Sequence, residues 1–116
     1  MKEISIFIQS MKQCVTYSVG KNAHDNFVMI DIASPHDIWF HIHDMPSGHV
    51  IAHVSEYKLN KKQKMDIITQ GAVLCKQQSK YKSDKNVDII YTEVQYIEKT
   101  HTIGKVVVAN GRKKNI

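Results

Sequence analysis

The sequence predicts a single α+β domain over residues 1–116. Its sheet is expected to be mixed but mostly antiparallel, with one long helix packed on it and a shorter helix near the N-terminus. Three observations carry this expectation. Short runs of apolar residues alternate with polar ones between turn signals, as half-buried strands do. One longer segment, Lys61 to Ser79, repeats apolar residues at helical spacing instead. The chain of 116 residues, 42% hydrophobic and 23% charged, is long enough to bury one core and short for two.

The elements follow in order. Residues 3 to 8 alternate Glu, Ile, Ser, Ile, Phe, Ile and read as a short strand or a variable N-terminal element. Residues 14 to 19 are rich in β-formers and stop at Gly20. Asn22 is an N-cap candidate, with Ala23, Phe27 and Ile30 at helical spacing behind it. The stretch Phe27 to Ile30 also fits a strand, and Pro35 closes the segment either way. Residues 37 to 43 and 49 to 54 form the arms of a hairpin around Asp44-Met45-Pro46-Ser47-Gly48. With His43 opposite His49, one face carries Phe40, Val50, Ala52 and Val54. The other gathers Trp39, His41, His43, His49, Ile51 and His53.

Asn60 is the expected N-cap of the long helix, and Met65, Ile68, Ala72 and Cys75 form its apolar stripe. Gly71 weakens a helix interior by about 1 kcal/mol against Ala, which close approach of helix to sheet would offset. Residues 86 to 94 and 105 to 109 read as strands. Asn110-Gly111 is a two-residue turn into a last strand, 112 to 116.

Composition excludes several classes. Two cysteines, Cys14 and Cys75, are too few for a disulfide scaffold or a Cys-rich zinc module and suit a reducing compartment. No apolar run approaches the ~18–20 residues of a membrane span. The N-terminus has no signal-peptide pattern, so the expected location is the cytoplasm, with no membrane partner. No nucleophile elbow or Gly-rich phosphate loop is present, so no catalytic residue, enzyme activity or cofactor is expected.

The charge points elsewhere. Sixteen Lys plus Arg against eleven Asp plus Glu give +5 with neutral His, and Arg112 is the single Arg. A basic excess is a nucleic-acid signal, although Lys is also the usual solvated residue. Phosphate-contact candidates are Lys21, then Lys61 and Lys62 at the helix start. Lys76, Lys80 and Lys82 follow at its end, with Arg112 and Lys113 near the C-terminus. The His–Trp face adds Trp39, His41, His43 and His49 as groups able to stack on or hydrogen-bond to unpaired nucleotides. Three imidazoles can also hold zinc, but these lack Cys partners or a helical H-x-x-x-H spacing, so no metal is expected. Asp37, after a proline and before a strand, reads as a turn or cap residue.

Four pieces in order resemble the NFACT-R family. Val19-Gly20-Lys21-Asn22-Ala23-His24-Asp25-Asn26 is similar to its V-G-[RK]-N-x-x-x-N. Asp37-Ile38-Trp39-Phe40-His41 is similar to its D-x-W-[FL]-H, and Pro46-Ser47-Gly48-His49-Val50 to its P-G-S-H-V. The fourth piece is the helix with Gly71-Ala72 and Ser79-Lys80, then Val87 to Thr92 and Gly104-Lys105-Val106. Two departures stand out: Ser47-Gly48 inverts the usual Gly-Ser, and His24-Asp25 replaces an acidic-Gln pair. The resemblance implies an RNA-binding module of the kind found in ribosome quality-control factors and in small stand-alone proteins. It makes RNA, as tRNA or rRNA, the expected partner, with the ribosome beyond it. The reading from a different class is a protein-interaction adaptor that docks through a sheet edge or the His face.

Overall fold

The computed structural model describes residues 1–116 throughout. In chain order the elements are β1 (Lys2–Ile8), β2 (Gln13–Val19), α1 (Ala23–Ile32), β3 (Ile38–Ile42) and β4 (Val50–Ala52). Then come α2 (Lys61–Gln77), β5 (Asp88–Glu93), a 3-10 turn at Val94–Tyr96, β6 (Ile97–Lys99), β7 (Val106–Val108) and β8 (Arg112–Asn115). Phe27 to Ile30 is therefore helical, and Asn22 caps α1 by accepting the Asp25 N–H.

The main sheet has six strands in the order β1-β2-β4-β3-β5-β8, and β6 and β7 form a second, two-stranded sheet. The sheet expected to be mixed but mostly antiparallel is antiparallel at each of its pairings. The two helical connections explain this. α1 joins β2 to β3 with β4 between them, and α2 joins β4 to β5 with β3 between them. Each helix thus makes the long return that parallel strands need, yet an antiparallel strand fills the gap.

Period-two alternation sorts the side chains onto two faces. Ile38, Phe40 and Ile42 join Val15, Tyr17 and Val50 under Ile67, Ile68, Ala72, Leu74 and Cys75 of α2. Gly71 has the reason its sequence position suggested. A Cβ there would stand 2.2 Å from the Phe40 ring, so only a glycine lets α2 settle on β3. Tyr17 Oη donates to the Ile67 carbonyl at 2.8 Å and ties β2 to the same helix. On the opposite face Trp39 and Ile51 are covered by Met29 of α1 and by Val94 and Ile97. Lys99 of β6 pairs with Asp31 of α1, which closes this second layer.

Three expectations need correction. First, the hairpin register is shifted by two residues. Phe40 pairs with Val50 and Ile38 with Ala52, so His41 rather than His43 lies opposite His49. The cause is local: the His49 N–H goes to Asn26 Oδ1 and its carbonyl to the Gly20 N–H, while the Ile42 N–H goes to Ser47 Oγ. A two-residue shift preserves the faces, whereas one residue would have inverted them. Second, the Asn110-Gly111 turn exists, with Asn110 at φ 54, but it does not join two paired strands. β7 pairs with β6, and β8 pairs with β5, whose edge is open at that side. Third, the long helix ends at Gln77 rather than Ser79, where the Ser79 hydroxyl caps the Lys76 carbonyl. Its start is as expected, with Asn60 and Gln63 forming a reciprocal capping box.

Candidate nucleic-acid interface

The motif residues weld three chain segments together. Between β2 and α1, Gly20 has no room for a side chain: a Cβ would lie 2.2 Å from Asn26 Oδ1. A Cβ on Gly48 would lie 2.4 Å from the Gly20 carbonyl oxygen. Asn26 Oδ1 accepts the His49 N–H at 3.1 Å, and the Gly20 N–H donates to the His49 carbonyl at 3.0 Å. The start of α1 and the loop Asp44–Gly48 are thereby held side by side.

Asp37 is a brace at the other end of β3. Its carboxylate accepts the N–H groups of Ser34, Val54 and Ser55 and the Ser55 hydroxyl, all within 3.0 Å. Burial alone would raise its pKa. Hydrogen bonds from His53, Ser34, Ser55 and Val54 outweigh burial and hold the carboxyl well below its usual range. His53 lies 3.4 Å from Asp37 through Nδ1 and 2.6 Å from Ser18 Oγ through Nε2. This Ser–His–Asp chain resembles a hydrolytic array only in composition. Ser18 sits inside β2 at 2% exposure, closed to any substrate, and the chain fastens β2, β3 and the end of β4.

The welded segments frame a cleft of about 1050 Å³. Its rim carries Lys21 from just before α1, Lys80 from beyond α2 and Lys105 from before β7. No carboxylate lies within ion-pair distance of any of the three. The loop Asp44–Gly48 forms one wall, and Trp39, His41, His49 and Ile90 form the floor. Extending the β3–β4 register puts His49, His41, Ile90 and Lys113 in one row across the sheet on this face.

The floor is held neutral. Trp39 and His41 stack at 5.7 Å between ring centroids and 4° between planes, and His49 meets both edge-on at 5.2 and 5.3 Å. Burial pushes the His49 pKa down to about 3, with His41 adding to the effect. Burial also lowers His41, with His43 adding to the effect, and outweighs the backbone hydrogen bonds the ring makes at Ile42, 2.5 Å from Nδ1, and at Ser47. Two buried nitrogens of the floor, Trp39 Nε1 and His49 Nδ1, have no partner.

The expected site residues divide accordingly. Lys21, Trp39, His41, His43, His49 and Lys80 are brought together at the cleft. Trp39 and His49 are 1% and 2% exposed, so neither offers a free ring face for stacking. The reason is α1 and the β6–β7 sheet, whose place over this face no local pattern shows. His43 sits by the rim, with Nε2 3.1 Å from Asp44. Lys61 and Arg112 line a separate groove with Lys64, Tyr91 and Tyr96. Lys62 is paired with Asp66, and Lys76 Nζ donates to the Ile116 carbonyl. Lys82 lies in the turn after α2, outside both surfaces. Lys105, Asn22 and Asn26 belong to the site but were absent from the candidate set. The V-G-K-N-x-x-x-N and Gly104-Lys105 pieces contained the signal for all three. Nowhere do three His, Cys, Asp or Glu side chains converge as a metal would require.

Comparison with known proteins identifies the family and the fold. The family model for the NFACT protein RNA binding domain matches residues 4–112. The chain is 30% identical over 86 residues to the Rqc2 homolog RqcH of Bacillus subtilis, covering 73% of this chain and 14% of that protein. It is 27% identical over 118 residues to coiled-coil domain-containing protein 25 of Mus musculus, covering 95% of this chain and 54% of that one. The chain thus spans about half or less of the length of either relative. The fold superposes with a TM-score of 0.78 on the C-terminal part of the fibronectin/fibrinogen-binding protein from Streptococcus suis. That match covers all of this chain and 45% of the other at 22% identity. The segments that wall the cleft, Val19–Asn26, Asp37–His41 and Pro46–Val50, all fall inside the matched residues, and on that match the chain belongs to the NFACT RNA-binding domain family.

Proposed function

We propose that this domain binds RNA through the Lys21–Lys80–Lys105 cleft and serves in ribosome quality control. The observation that carries the reading is the rim: three lysines without carboxylate partners, from three chain segments, around one concave surface of a family described as RNA-binding. Lysines contact phosphate as point charges, which positions a strand without reading its sequence. Trp39 and His49 are the buried part of the floor, and the partly buried His41 and His43 face the strand. Lys61 and Arg112 extend the basic surface onto the opposite side of the sheet, where Lys64 is paired with Glu93.

The finer reading is a structured RNA, tRNA or rRNA, met on the ribosome in the cytoplasm. The relationship to an Rqc2 homolog supports it. No helix is long and apolar enough to cross a membrane. Filter binding with tRNA at two salt concentrations tests the proposal. Affinity should be micromolar or weaker and should fall steeply with salt. Undetectable binding to tRNA, rRNA fragments and single strands at low salt would overturn it in favour of a protein-docking adaptor.

A further inference from the structure

The second groove, of about 490 Å³, lies on the α2 face of the sheet, away from the Lys21–Lys80–Lys105 cleft. Cross-strand pairing sets this face. Phe40, which packs under α2, pairs with Tyr91, and Tyr91 pairs with Arg112. Directly paired residues share a face, so Tyr91 and Arg112 stand on the helix side, where Met65 and Ile68 of α2 line the groove with them. Ile38 and Ile68 are buried, while Met65 and Tyr96 are each 39% exposed. The Tyr91 ring packs against Phe40 at 6.3 Å between centroids, which fixes its position, and no ring of the protein covers Tyr96. Lys61 and Arg112 have no carboxylate within ion-pair distance. Glu93, the one carboxylate of the groove, is already engaged by Lys64 and His36.

We propose that this groove is a second RNA contact, in which an unpaired base stacks on Tyr96 while Lys61 and Arg112 hold the flanking phosphates. The proposal rests on the RNA-binding reading and adds to it a site for an unpaired nucleotide. A base is apolar on its flat faces, polar at its edge and tied to an anion. The groove offers the matching set: an exposed aromatic ring and a thioether beside an aliphatic floor, the amide of Asn110 and two free cations. Stacking needs only a π-face, so every base fits. A base inside an A-form duplex keeps its faces stacked, so the groove takes single strands and loops. Strand β8 links this site to the cleft. Its side chains alternate, with Arg112 in the groove and Lys113 in the row on the cleft face, so the open edge of the sheet carries a cation on each side. An acidic peptide is the competing occupant. Its carboxylates would pair with Lys61 and Arg112 but leave Tyr96 uncovered.

Fluorescence anisotropy with labelled oligo(rA) and a labelled blunt RNA duplex, at several salt concentrations, tests this on the full chain. Tyr96→Ala should weaken oligo(rA) about five- to tenfold, with the salt slope unchanged because no phosphate contact is lost. The loss should be confined to oligo(rA), with the duplex spared. Tyr96→Phe keeps the ring and should restore most of the loss. Arg112→Gln should instead flatten the oligo(rA) slope by ~0.7. Unchanged oligo(rA) affinity in Tyr96→Ala overturns the proposal, as does an equal loss on the duplex or in Tyr96→Phe. Tyr96→Ala that weakens an oligo-glutamate peptide and spares oligo(rA) gives the groove to an acidic protein segment and also overturns it. The two readings fail separately. Weakened binding in Lys21→Gln with none in Tyr96→Ala leaves the cleft standing and removes the groove, whereas wild-type protein that binds neither probe defeats the RNA-binding reading itself. Proton spectra of the wild-type protein give a check independent of any variant. The Tyr96 ring signals should move upfield on adding oligo(rA), and unmoved signals refute the stacking.

Discussion

The side-chain oxygen of Asn26 stands 2.2 Å from where a Cβ on Gly20 would be. The same oxygen accepts the His49 N–H at 3.1 Å. One atom thus explains why the motif has glycine at its second position and ends with asparagine. It also explains why β4 begins at Val50 rather than at His49. The start of α1 is held against the hairpin loop by this contact, and Lys21 is carried to the cleft with it.

Gly20→Ala should therefore destabilise the fold by about 1–3 kcal/mol, because the added methyl must displace Asn26 or the Met29 sulfur, 2.9 Å away. Asn26→Leu orphans the His49 N–H and should cost a similar ~1–3 kcal/mol. Because both variants break one contact, the double variant should lose less than their sum. Urea unfolding of the three proteins measures this. Full additivity would show that the two residues act separately.

Gly71→Ala is a second overpacking test. Alanine gains about 1 kcal/mol of helix propensity over glycine, yet its methyl would lie 2.2 Å from the Phe40 ring. A net loss of about 1–3 kcal/mol is expected. Adding Phe40→Leu should return part of it by opening space beneath the helix. A Gly71→Ala variant more stable than wild type would show that α2 does not approach β3 this closely.

Acid should weaken the fold in two windows. Burial holds the folded His49 pKa at about 3, while an unfolded histidine takes up its proton near ~6.5. The unfolded state then binds more protons between these values, so stability falls as pH drops from ~6.5 towards 3. The slope from this group approaches ~1.4 kcal/mol per pH unit in mid-window. Asp37 adds a second loss. Its folded pKa is depressed, so its contribution is intact above the unfolded value of ~3.9 and disappears as pH falls below that. Urea midpoints measured across pH should show both windows. His49→Phe should flatten only the upper one, and a pH-independent midpoint between 6.5 and 4 would contradict the buried neutral ring.

RNA affinity should depend on where a lysine sits rather than on its being a lysine. Lys21→Gln, Lys80→Gln and Lys105→Gln should each flatten the log–log salt slope by ~0.7–0.9. Lys62→Gln, at a residue already paired with Asp66, should barely change it. Lys76→Gln removes the hydrogen bond to the Ile116 carbonyl and should register in the melting temperature before it registers in binding. Equal effects at all five positions would mean a diffuse charge effect rather than a cleft.

Alternation and spacing made every strand but β6, both helix starts and the buried sides of Phe40, Ile42 and Cys75 legible in the sequence. These are local properties: a period-two run or an N-cap depends on neighbours a few residues away. The close approach at Gly71 was legible for the same reason, since a glycine inside a helix needs a compensating contact, while its partner, the Phe40 ring, came only with the structure. The partners of the last strands were not legible. Whether β7 pairs with β6 or β8 depends on which sheet edge is open, and that is settled by strands far apart in the chain. The candidate site divided along the same line. The sequence placed Trp39, His41 and His49 on one face. Only the tertiary structure set α1 and the β6–β7 sheet over that face, burying Trp39 and His49 while leaving His41 at the cleft. Sequence by itself determined which residues share a strand face and which cap a helix. Tertiary structure decided which of the lysines converge, because convergence of Lys21, Lys80 and Lys105 needs three distant segments folded against one another.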